Sequence, residues 1–170
     1  MKTKSFWIGV VALMCAVLMT SCSSSVLTPK ECQVEIDDTF SAMVSVAVVY
    51  MVYDGQISDA FADELEETAE QVQQESNEKG VAKFRIALEQ MAQDDAFAQA
   101  CLELYSSIEP EFSEWEQQPD QDGFSVWTAT ETQSDIKTTF LNNKDFEWSV
   151  NLDNESFTAF IAMIADSITE

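Results

Sequence analysis

The chain has 170 residues, 31 of them acidic and eight basic, with no histidine and a net charge of −23 at neutral pH. Such a charge opposes binding to nucleic acid or anionic head groups. The missing histidine excludes Ser-His-Asp and Cys-His catalysis, His-ligated zinc and most haem ligation.

The chain opens with Lys2 and Lys4, followed by an apolar stretch over 6–19 broken only by Gly9. A bilayer span needs about 20 residues, so this stretch suits the core of a secretory signal better than a crossing. The run Leu18-Met19-Thr20-Ser21-Cys22 resembles the lipobox of bacterial lipoprotein precursors. The resemblance covers only the first two dozen residues. It implies that Cys22 is acylated, that residues 1–21 are removed as a signal peptide, and that the new N-terminus receives a further fatty chain. Several acyl chains at about 0.8 kcal/mol per buried CH₂ hold a protein to a bilayer effectively permanently. Ser23, in that family's sorting logic, implies the outer membrane facing the periplasm if the source is diderm.

Residues 22–31 are then expected to form a lipidated tether and 32–170 a single α+β domain. The 149 residues left after cleavage fit one domain with a substantial core. They hold six basic and all 31 acidic residues, a net −25. That charge suits a solvated surface, divalent cations or an envelope partner with a basic face. The apolar fraction is too high and too periodic for disorder.

Two cysteines remain for the domain, Cys32 and Cys101. In an oxidising compartment a bridge would close a loop of about 70 residues and contribute about 4 kcal/mol. The alternative is two buried thiols. Residue 101 lies about 30 Å along the third helical stretch, and bridged Cα atoms sit only about 4.4–6.8 Å apart. A bridge therefore requires that stretch to fold back near Asp94, or a bundle that is not a simple up-down-up one.

The first helix is expected from 33 or 38 to 53. Its segment 40–53 is apolar nearly all round, which marks a central helix. A surface helix follows over 58–77, with a stripe of Ile57, Phe61, Leu65, Ala69 and Val72 among glutamates. The third stretch, 81–107, carries one stripe of Phe84, Leu88 and Met91 and another of Phe97, Cys101, Leu104 and Ile108. The change of register at Gln93-Asp94-Asp95 predicts a break, with an Asp capping a fresh helix.

Residues 109–123 read as a connector with Pro110, Pro119 and an Asp122-Gly123 turn. Three strands of an antiparallel meander are expected at 124–131, 135–141 and 146–152. The third alternates Phe146, Trp148, Val150 and Leu152 with polar residues, giving one buried face. A C-terminal helix over 154–169, with a stripe of Phe157, Phe160, Ile161, Ile164 and Ile168, is expected to cover that face.

Recognised chemistry is sparse. No P-loop or dinucleotide fingerprint is present, and two cysteines cannot build a Cys₄ zinc site. Asp120-Gln121-Asp122-Gly123 resembles the middle of an EF-hand loop, but Gln118 and Ala129 stand where ligands are needed, so a turn fits better. No cofactor or metal site is expected. Phe112 and Trp115 are candidate partner anchors, or else cover an edge of the core. Trp127, Phe140 and Trp148 could line an apolar ligand pocket between sheet and helices. Carboxylates are numerous enough for a glycan hydrolase, yet the sequence singles out no pair. The leading expectation is a non-enzymatic, membrane-anchored envelope protein that binds another protein.

Overall fold

The computed structural model describes residues 17–18, 26–53, 59, 63, 80–145 and 147–169. Cys22, the leader apart from Val17 and Leu18, and Phe146 lie outside these residues. So does the helix expected at 58–77, apart from Asp59 and Asp63.

The architecture is α+β. Helix α1 spans Gln33–Val52, α2 Gly80–Met91, α3 Ala96–Ser107 and α4 Asn154–Thr169. The strands are β1 (Val17–Leu18), β2 (Glu116–Gln121), β3 (Phe124–Thr130), β4 (Lys137–Asn142) and β5 (Glu147–Leu152). They form one antiparallel sheet in the order β1-β5-β4-β3-β2.

Helix α1 is central, as its apolar circumference requires. Its start packs Cys32 and Ile36 on Phe140, Trp148 and Val150 of the sheet. Its middle packs Phe40 and Val44 with Ile136 and with Phe157 and Phe160 of α4. Its far half packs Ala42, Val46 and Val49 against Leu88 and Met91 of α2 and Phe97, Ala98 and Cys101 of α3. Two hydroxyls buried on α1 bond back to the preceding turn: Thr39 Oγ1 donates to the Glu35 carbonyl at 2.7 Å and Ser45 Oγ to that of Ala42 at 3.0 Å.

The break in the third stretch forms as its register change predicts. Helix α2 stops at Met91, and the Asp95 carboxylate accepts from the backbone N–H of Phe97 (2.9 Å) and Ala98 (3.0 Å) to start α3. Substituting Asp95→Ala is expected to cost about 1 kcal/mol, the usual worth of an N-cap. Urea unfolding of the variant measures this, and an unchanged midpoint would show the cap to be dispensable.

The expected three-stranded meander needs correction. Residues 116–121 of the connector are a fourth full strand, paired with β3 from Glu116↔Thr128 to Gln121↔Phe124. The two-residue loop between them is Asp122-Gly123, both with positive φ (50° and 87°), the geometry of a tight hairpin. Pro119 fits because β2 is an edge strand and its register slips between Gln118 and Gln121. The two-residue β1 adds a further partner along β5, opposite Trp148 and Glu147.

The expected cover of the sheet also needs correction. The start of α1 lies over most of its apolar face, and α4 meets only the end of it, where Phe157 and Phe160 share a cluster with Leu152. A helix apolar on all sides can serve the sheet and the other helices at once, whereas α4 has a single stripe and packs beside α1.

Residues 27–31, expected to belong to a tether, are packed onto the domain. Leu27 packs into the sheet-side cluster, and Asn142 Nδ2 donates to its carbonyl at 2.8 Å. The backbone N–H and hydroxyl of Thr28 both donate to Glu31 Oε2 at 2.8 Å, closing a turn that leads into α1.

Candidate functional site

The described helices occupy one face of the sheet. Cross-strand register places Trp127, Phe140 and Val150 on that inner face and Val126, Leu141 and Ser149 on the other. The outer face encloses a depression of about 860 Å³. Its floor includes Val126 and Leu141, and its walls carry the hydroxyls and amides of Gln118, Thr128, Thr139 and Asn151. Gln118 Nε2 donates to Thr128 Oγ1 across β2 and β3 at 3.0 Å. The volume lies within the range of small-molecule sites, roughly 300–1,000 Å³, but the lining is more polar than theirs usually is.

Three charged residues border the depression: Glu116, Lys137 and Asp153. Asp153 is committed to capping α4, accepting from Ser156 N–H and Ser156 Oγ at 2.9 Å each. Those bonds, the backbone one first, hold its carboxyl below the usual aspartate range. A general acid in a glycoside hydrolase needs the opposite shift, so Asp153 is not suited to that role.

An acidic rim runs from a second cleft along the connector to the edge strand, where Glu116 reaches the depression. Glu109, Glu111, Glu114, Glu116, Asp120 and Asp122 are all exposed along the connector and the edge strand β2. None of the six forms an ion pair among the described residues, where the surface pair is Arg85–Glu89 at 3.3 Å. Charge and Pro119 on an edge strand also keep it from pairing with another sheet.

Glu131 is the buried carboxylate among the described residues, 3% exposed. It accepts from the backbone N–H of Glu111 (3.1 Å), Gln133 (3.2 Å) and Ser134 (2.8 Å), and from Ser134 Oγ (2.6 Å). Burial pushes its carboxyl up, but the Ser134 hydroxyl and these N–H groups outweigh burial and hold it below the ordinary value. It ties the connector to the β3–β4 turn, and it lines that second cleft, of about 470 Å³, with Phe40, Val44, Ile108 and Phe160.

The aromatic candidates come together, but as core. Phe112 stacks edge-on against Phe40 (5.4 Å) and tilts against Trp115 (5.2 Å), and Trp115 meets Phe140 (6.4 Å). Phe140 is 0% and Trp148 3% exposed, and Phe112, Trp115 and Trp127 are half-buried against the same cluster. An apolar pocket at Trp127, Phe140 and Trp148 is therefore replaced by packed side chains, because Cys32 and Ile36 of α1 fill that space. The indole N–H groups of Trp115, Trp127 and Trp148 are buried with no acceptor among the described residues.

The expected disulfide is likewise corrected. Cys32 and Cys101 are buried free thiols in two different clusters. Cys101 packs beside Ala42 and Val46, at least ten residues of α1 beyond Cys32, or about 15 Å. Burial, with the carboxylates of Glu35 and Glu31 near Cys32 and of Asp95 near Cys101, pushes each thiol up to about 12. Since the thiolate is the reactive species, neither is expected to react with a thiol reagent at pH 8 until the protein unfolds. Titration with and without denaturant checks this, and fast labelling of the native domain would contradict the packing.

The depression, the rim and the first strand of the hairpin were not anticipated from sequence. The available signal was the Asp122-Gly123 dipeptide, which marks a hairpin and so requires a strand on each side. The chain matches no protein-family description, no curated protein and no solved structure.

Proposed function

We propose that the mature chain is a lipid-anchored protein of the bacterial envelope that binds, rather than transforms, a partner protein with a basic surface. The observation that carries this reading is the outer face of the sheet, hollow, polar and free of helices among the described residues, together with six exposed carboxylates along the adjoining connector and edge strand, none of them ion-paired among the described residues. Hydroxyl and amide walls can pair with a partner's backbone and side chains. The rim attracts positive charge and repels the anionic surfaces that dominate an envelope. In this reading the lipid on Cys22 supplies the anchor, and the periplasmic side of an outer membrane is the location if the source is diderm.

Crosslinking followed by affinity capture from envelope extracts tests this reading. A basic protein should be recovered with the chain, less of it at high salt, and less again with the triple variant Glu114→Gln, Glu116→Gln, Asp120→Asn. Recovery of the chain alone, or a partner insensitive to both changes, would count against it.

A further inference from the structure

We infer that the domain stands on the bilayer by one defined end, with the Asn143–Lys144 turn and the start of α1 against the lipid head groups and the α2–α3 turn pointing away. The inference rests on the lipid-anchor reading above and adds an orientation to it.

The covalent path is short. From Cys22 to Leu27 there are five residue steps, which reach about 17 Å fully extended. Leu27 is not free to lengthen that path. Its side chain packs in the sheet-side cluster, and its carbonyl is held at 2.8 Å by Asn142, itself 1% exposed. The turn from Thr28 to Cys32 then leads directly into α1. Anchored there, the domain cannot swing clear of the surface as a long flexible tether would allow.

Asn142 ends β4 and pairs with Ser125 near the start of β3 and with Trp148 near the start of β5. The Asp122-Gly123 turn, the Asn143–Lys144 turn and the first residues of α1 therefore share the anchored end. Helix α1 runs from that end for 20 residues, about 30 Å. At its other end Tyr53 Oη donates to the Ala96 carbonyl (3.4 Å) and its ring meets Phe97 at 5.7 Å, which places the α2–α3 turn there. The tether holds the first end within about 17 Å of the surface, whereas the far end lies about 30 Å along α1 from that attachment, so on average the attached end lies nearer the lipid. Lys30 and Lys144, both exposed near the anchored end, are suited to lipid phosphates. Glu31 and Asp145 beside them offset that charge, so what favours this end is the attachment point of the tether and not electrostatics.

The test uses the acylated chain in phospholipid vesicles containing a quencher-labelled lipid. A fluorophore is attached through Lys144→Cys in one variant and Asp94→Cys in another, both positions being exposed. Quenching is expected to be several-fold stronger at position 144 than at 94. Inserting a ten-residue Gly-Ser segment between Ser25 and Val26 should reduce that ratio. Equal quenching at the two positions in the native-length chain, or stronger quenching at 94, would overturn the orientation while leaving the anchor intact. A chain that does not float with vesicles and carries no fatty chains would instead remove the anchor reading itself.

Discussion

Replacing Cys22 by alanine is expected to release the chain from acylation and to leave its leader uncut. The thiol of residue 22 is the attachment point that the lipobox resemblance implies, and no other cysteine stands at the end of the apolar stretch. Several fatty chains together contribute on the order of tens of kcal/mol to membrane residence, so no surface contact of a domain with net charge −25 can replace them. Intact mass decides the matter. The natural product should begin at residue 22 and carry fatty chains, and the variant should retain all 170 residues without them. A natural product with an intact leader and no lipid would remove the compartment, the anchor and the orientation together.

The second large effect is expected at Glu131. Glu131→Ala leaves three backbone N–H groups and one hydroxyl without their acceptor in a buried site. At about 1–3 kcal/mol for each unsatisfied buried group, and with some relaxation toward solvent, a loss of roughly 3 kcal/mol or more follows. Glu131→Gln keeps one carbonyl acceptor and should lose less.

The effect depends on pH in a definite direction. The folded carboxyl lies below its ordinary value of 4.5. Its contribution is therefore complete above pH 4.5 and disappears as pH falls through the folded value. Melting temperatures of the native chain and of Glu131→Gln should differ most near neutrality and converge in acid. A constant difference down to pH 3 would show that the ionised carboxylate is not what stabilises the turn.

Local signals specified much of this fold. The nearly complete apolar circumference of residues 40–53 required a central helix whatever its neighbours. The register change at Gln93-Asp94-Asp95 located the α2–α3 break, because only a cap there lets two stripes with different phases face one core. Alternation along residues 147–152 specified a strand with one buried face. These features depend on periodicity and capping, which act within a few residues.

Tertiary structure decided the rest. Residues 116–121 have weak strand propensity and contain Pro119, so only pairing with β3 makes them a strand. Which helix covers the sheet was settled by competition for apolar surface between α1 and α4, a comparison no single segment contains. Partnership of Cys32 and Cys101 was likewise beyond sequence, since spacing along the chain does not give distance across a core, and packing placed them in separate clusters. The hollow outer face and its acidic rim arise only once four strands lie side by side. The sequence by itself determined the described helices and the alternating strands, because those are local chemistry; the three-dimensional structure decided the edge strand, the layers and the surface, because those depend on which distant segments bury one another.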